Sequence, residues 1–359
     1  MRHPLHAATC ALCLLACLCS TVRGDDFTWS SAPINQNWNN SGNWVGPAGQ
    51  VPDDTTDSVF IVGEPANGVD PVLNVSTQIH DVSLQSGGDL STANSTLVMS
   101  GDLSINGGGT ILTVPALFPN IFNLPNIHTE RLQITDFGTA RLQGGIVRSR
   151  ISTNISSGGL LRGYGVLRHD SISGNVTNSA FISAEGGTLT IEPGLSNTGR
   201  FDWDGSEFSL TRDPRLLVST DATLDIQLSP GTDRFSGLIS VGNRGTFHVE
   251  SDWESDFGST INLIGGLTTA DAATITGGDM ATFGDLDVVA GTGHVQSFWH
   301  GRIGTVRVRP FATLRVNDAL LDDNDGFSEV LFDFEEESTF RVDGDVTINR
   351  QNSTTFDWD

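Results

Sequence analysis

Gly187-Thr188-Leu189-Thr190-Ile191, Ala222-Thr223-Leu224-Asp225-Ile226 and Gly245-Thr246-Phe247-His248-Val249 are three statements of one short phrase. A small residue is followed by Thr, an apolar residue, a variable polar residue and a second apolar one. Asp replaces Thr in Gly101-Asp102-Leu103-Ser104-Ile105 and Gly284-Asp285-Leu286-Asp287-Val288, and further copies stand at 95–99, 304–308, 312–316 and 338–342. Apolar side chains at i and i+2 fall on one side of an extended chain, with the polar ones on the other. Each phrase therefore predicts a strand with one buried face. Flanking Gly, Asn, Asp and Ser supply the turns.

The spacing extends the reading. Phrases beginning at Gly199, Ala222 and Gly245 are 23 residues apart, and Gly284 to Gly304 is 20. Residues 95–106 (STLVMSGDLSIN) return at 338–349 (STFRVDGDVTIN) with six of twelve positions identical. Recurrence at about 20–26 residues suits one coil of a parallel β-solenoid, in which each coil buries its inward side only against its neighbours. The expected fold is all-β: solenoid repeats over 75–359, preceded by a Trp-rich cap and first strands over 25–74. The alternative is a β-sandwich or jelly roll, since some spacings of 6, 8 and 12 residues suit it. Phe327 to Phe334 reads either way, as a strand through Val330, Phe332 and Phe334 or as a short side-helix.

The chain has 359 residues, 43 acids and 19 cations, all of them arginine, for a net charge of -24. Nucleic acid and anionic membrane surfaces are excluded as partners, because both need clustered Lys and Arg. Residues 1–24 read as a secretory signal: Arg2, an apolar run from Ala7 to Leu18, then Val22 and Gly24 before a cut at Asp25. Losing its two arginines lowers the charge to -26. No other run approaches the ~18 apolar residues of a membrane span. All four cysteines lie in this segment, so the mature chain has neither disulfides nor thiol chemistry. Leu14-Leu15-Ala16-Cys17 also offers a lipoprotein variant, with Cys17 as a lipidated start.

Between Asp25 and Ile61 the texture changes. Phe27-Thr28-Trp29, Asn37-Trp38-Asn39 and Gly42-Asn43-Trp44 are followed by Val51-Pro52-Asp53-Asp54 and Ser58-Val59-Phe60-Ile61. This opening, with the Gly-Thr-Leu-x-Val phrases behind it, resembles large exported β-helix proteins of environmental bacteria, notably planctomycetes, with repeats of the autotransporter-associated β-strand type. The resemblance covers most of the mature chain. It implies a pectin-lyase-like, right-handed β-helix, secreted or surface-bound, usually without assigned activity. The chain departs from that pattern in having no recognisable sorting or anchoring segment at its C-terminus. Read from the residues alone, Trp29, Trp38 and Trp44 plug the open first coil. Stacking of sugars on exposed indole faces is the functional alternative.

Candidate chemistry is sparse. Arg148, Arg150, Arg162 and Arg168 concentrate positive charge, either as a foothold for a polysaccharide lyase or as pairs across adjacent coils. Asp202 and Asp204, in Phe201-Asp202-Trp203-Asp204, share one side of a strand about 7 Å apart, a separation used by inverting glycosidases. The phrase returns at 356–359, which favours a structural strand. Asp323 and Asp325 are the weak calcium candidates: the loop 322–326 lacks the first ligand of the calcium pattern, and a solvated acidic turn is the simpler reading. Glu335 to Glu337 is a solvated turn. The six mature histidines are scattered without a metal-binding spacing, so no cofactor beyond calcium is expected.

The functional expectation is a secreted or cell-surface, non-enzymatic structural or adhesive solenoid, meeting extracellular polysaccharide or cell-envelope components. A carbohydrate-active lyase or hydrolase on the same fold is the alternative. Because the sequence ends inside a repeat at Asp359, the last coil is expected to reflect a truncated longer protein, to associate end-on with another copy, or to be shielded by a loop.

Overall fold

The computed structural model describes residues 24–93, 95–113, 126–169, 175–192, 201–202, 215–227, 233–235, 237–255, 258–302, 304–322 and 330–349. Among them, regular structure is all strand apart from short 3-10 turns at Ser41–Asn43 and Thr269–Asp271. One coil shows the plan. Asp81–Gln85 runs along a first face, Asp89–Ser91 along a second and Leu97–Met99 along a third; Leu103–Ile105 then returns to the first, one layer further on. Partners are successive coils and the pairing is parallel, so three sheets enclose a narrow core. That is a β-solenoid, and the sandwich alternative falls because no two sheets face each other across locally paired strands. The first face breaks after Phe201–Asp202 and resumes as a separate six-stranded sheet, from Asp233–Phe235 to Val346–Asn349.

The core is a set of columns. On the second face Leu90, Ile111, Ala140, Leu161, Ile182, Leu216, Ile239, Ile261, Leu286 and Val306 are successive register partners. None of them exceeds 3% exposure. On the third, Leu189, Leu224, Phe247, Ile275, Val295 and Val316 do the same. The phrase pairs Leu97/Met99, Leu189/Ile191 and Leu224/Ile226 all point inward and are buried.

Three readings need correction. Phe340 is only half-buried and Val342 is 39% exposed, because Thr339–Val342 is the last described strand on its face and no described coil covers it. Phe332 and Phe334 stand likewise on the final second-face strand, Val330–Phe334, where strand wins over helix. Third, the 23-residue rhythm through Gly199, Ala222 and Gly245 is partly coincidence. Phe201–Asp202 lies on the first face against Val176–Thr177, whereas the phrases at Ala222 and Gly245 stack on the third. The coil before Leu224 is reached at Leu189, 35 residues back. The twelve-residue echo is structural: both copies turn from the third face into the first.

At the N-terminal end Asp26–Trp29 pairs in parallel with Ser58–Val62 and antiparallel with Trp44–Val45. Phe27, Trp29, Trp38 and Trp44 are buried there, with Trp29 and Trp38 edge-to-face on Trp44 at 4.9 and 4.8 Å. Each indole N–H donates to a carbonyl: Trp29 to Val69, Trp38 to Pro52 and Trp44 to Trp38. The rings are committed to packing, so they offer no exposed face to a sugar. No helix among the described residues is long and apolar enough to cross a membrane.

If stacking supplies the stability, position along the column sets the cost of truncation. Leu224→Ala, covered on both sides, should lose about 2–5 kcal/mol in urea denaturation. Val342→Ala, uncovered on one side, should lose far less; equal losses would contradict the column account.

Candidate functional site

With the inward positions fixed by stacking, the outward positions carry whatever chemistry the chain has. On the third face Thr188, Thr223, Thr246 and Thr274 form one outward column, and Thr190, Asp225, His248 and Thr276 form the next. Gln227 and Glu250 join Thr188, Thr223, Thr246, Asp225, His248 and Thr276 around a shallow hollow of about 340 Å³. Gln227 Nε2 donates to Asp225 Oδ2 at 3.2 Å, and Thr190 Oγ1 donates to the same oxygen at 3.5 Å. His248 sits between two coils, with Nδ1 2.7 Å from Thr276 Oγ1 and Nε2 3.9 Å from Asp225 Oδ1. The lining is hydroxyl, carboxylate, amide and imidazole, with no aromatic ring. Such a surface can exchange hydrogen bonds with a hydroxyl-rich ligand. Sequence reasoning passed over it, although the signal was present: Asp225 and His248 occupy the variable fourth position of two phrases that stack directly.

The arginine cluster divides. Arg150 Nη1 meets Glu130 Oε1 at 2.7 Å, and Arg162 Nη2 meets Glu185 Oε2 at 2.6 Å. Arg168 grips Glu192 through two nitrogens, Nη2 at 2.9 Å from Oε1. In each pair the carboxylate lies one coil away. The pattern continues in Arg244–Asp221, Arg307–Asp333, Arg309–Asp287 and Arg315–Asp343. Arg148 is the exception: it has no such partner among the described residues, and its Nε is buried without an acceptor. The carboxylate candidates are not brought together. Asp202 contributes backbone to a first-face strand, while Asp204, Asp323 and Asp325 lie outside the described residues. Glu336 and Glu337 form the expected turn before Thr339–Val342. Among the described residues no group of three or more His, Cys, Asp or Glu could hold a metal ion.

Two electrostatic environments have opposite signs. Asp221 and Asp343 are held below the usual carboxylate range by hydrogen bonds from Arg244 and from Arg315 respectively. Asp70 is raised, first by burial and then by Asp89 and Glu64 beside it. No family model matches the chain, and no curated protein matches it.

These shifts fix how stability follows pH. A carboxylate with a lowered folded pKa stabilises above its unfolded pKa, and that contribution is lost as pH falls through the folded value. Arg244→Gln should therefore lower the melting temperature at pH 7 and leave it unchanged well below the carboxylate range. Asp70 has a raised folded pKa, so its penalty is present above that pKa and relieved as pH falls through it. Asp70→Asn should raise the melting temperature at pH 7, with the gain vanishing in acid. Thermal melts across pH would read both, and the same sign for the two variants would refute the assignment.

Proposed function

We propose that the protein is an exported, non-enzymatic β-solenoid serving as a structural or adhesive component at the cell surface. The observation that carries this is the fate of the arginines. Of the four arginines that made the best foothold for catalysis in the sequence, Arg148, Arg150, Arg162 and Arg168, the last three are engaged by carboxylates on neighbouring coils. The signal-like segment and the resemblance to exported β-helix proteins supply the location; residues 1–23 lie outside the described part. A lipidated start at Cys17 is a variant of the same reading. Half-buried Phe332, Phe334 and Phe340 at the final described coil fit end-on association with a second copy. Calcium at 322–326 remains part of the proposal only as an auxiliary ion.

A second reading, a carbohydrate-active enzyme, has the third-face hollow in its favour, because it sets a carboxylate, Asp225, 3.9 Å from the His248 imidazole on the adjacent coil. Two measurements separate these. Fractionation of producing cells should find a chain starting near Asp25 in the envelope or medium. Purified protein incubated with a polysaccharide panel should release no new reducing ends or unsaturated products. Cleavage abolished by Asp225→Asn would replace the proposal with the enzymatic reading, and retention of uncut chain in the cytoplasm would end it.

A further inference from the structure

We infer that the corner joining the second and third faces around residues 141–148 binds an oxyanion, a carboxylate or sulfate carried on a sugar ring. The inference rests on the reading above only in taking that sugar from an extracellular polymer.

The chain disposes of its positive charge in two ways. Most described arginine side chains lie against a carboxylate, usually one coil away. Arg215 and Arg302 instead lie over the rings of Phe181 and Phe283, at 5.7 and 5.1 Å. Among the described arginine side chains, only Arg141 and Arg148 have neither kind of partner. Both belong to one strand, Thr139–Ile155, on either side of Gly144-Gly145. Arg148 is flanked in register by His128 on the preceding coil and Arg168 on the following one, and Arg141 by Arg162. Like charges placed opposite each other on neighbouring strands destabilise the sheet. A guanidinium Nε buried without an acceptor adds a desolvation cost. The carboxylates nearest this corner, Glu185 and Glu192, are taken up by Arg162 and Arg168, and no described carboxylate pairs with Arg141 or Arg148. An anion from outside would relieve both costs at once.

The corner is also shaped to admit one. Gly144-Gly145, Gly163-Tyr164-Gly165 and Gly186-Gly187 follow one another on three coils. The backbone there is too close for side chains: a Cβ on Gly163, at φ +107°, would lie 1.9 Å from the Leu142 carbonyl oxygen, and one on Gly165 would lie 2.4 Å from that of Gly145. Tyr164, the single tyrosine of the chain, is therefore the one side chain beyond hydrogen at these seven positions. Its ring packs against Gly187, where an added Cβ would stand 3.2 Å from Cγ. A partly exposed ring thus stands one coil on from the strand that carries both unpaired guanidiniums, in register with Gln143 between them in sequence. The planar fork of arginine matches carboxylate and sulfate oxygens, and an aromatic ring accepts the C–H side of a sugar.

Three polymers with one backbone isolate the charge: dextran, carboxymethyl dextran and dextran sulfate. In affinity gel electrophoresis at low salt the full chain should be retarded by one or both charged polymers and not by dextran. Whichever charged polymer acts identifies the group. Arg148→Gln should weaken retardation about tenfold, the loss expected for one charge-assisted contact. Arg315→Gln makes the same charge change at a paired site and should leave it within about twofold. Without ligand, Arg148→Gln should melt no lower than the native chain, because it removes a like-charge contact; a purely structural arginine would give a lower melt. Retardation by no charged polymer, equal retardation by dextran, or an Arg148→Gln variant that binds normally would overturn the site. Purified chain is used throughout, so export of the protein is tested separately by fractionation.

Discussion

Everything in this molecule depends on one constraint: a coil can bury its inward side chains only against the next coil. A single strand such as Thr223–Ile226 has two apolar side chains and no local partner strand. Leu224 becomes buried because Leu189 lies on one side of it and Phe247 on the other. Hydrogen bonding follows the same axis, since every parallel ladder runs between coils. Stability is then a sum over interfaces, and it weakens where the sum loses a term. The N-terminal end closes the series with tryptophans whose N–H groups all find carbonyls. At the other end of the described chain, Phe332, Phe334 and Phe340 cluster with centroids 5.7–6.3 Å apart and remain part exposed.

Stacking at about 4.8 Å per coil also decides the electrostatics. Outward residues in register are held close whether or not they attract, so an acidic chain would accumulate like charges in columns. Arginine answers this better than lysine, since its rigid fork reaches a carboxylate on the adjacent strand with two nitrogens. The chain has no lysine at all, and Arg168–Glu192 and Arg309–Asp287 show the bidentate use. Individually such exposed pairs contribute little. Repeated at successive coils, they keep the ladder from repelling itself.

The sequence disclosed the strands and the coil because period-two alternation and turn residues are local properties. It could not disclose which face a phrase would occupy. Gly199, Ala222 and Gly245 keep a steady interval, yet the strand Phe201–Asp202 and the strands after Ala222 and Gly245 lie on different faces, because insertions between faces change coil length without altering the phrase. Register was equally hidden: Leu167 stacks on Ile191, the second apolar residue of its phrase, so early and late columns are offset by one phrase position. The arginine cluster was visible as charge, but its division into paired and unpaired members is a property of neighbouring coils. Arg162 and Arg148 look alike in sequence; Glu185 pairs with one, and no described carboxylate pairs with the other.

The third face brings these threads together. Along one outward column the chain places His128, Arg148 and Arg168 and then Glu192, and the hollow of Asp225, His248 and Glu250 follows on the next coils. The sign of the face thus changes at Glu192, where Arg168 is neutralised. Inward columns are mainly apolar, with a few buried hydroxyls and His169 among them, and carry no arginine or glutamate, so they cannot encode this change. It resides wholly in positions that the fold leaves free. The outward surface of this face is thus cationic around Arg148, acidic and hydroxyl-rich around Asp225 and His248, and carries arginine again at Arg315 and Arg341.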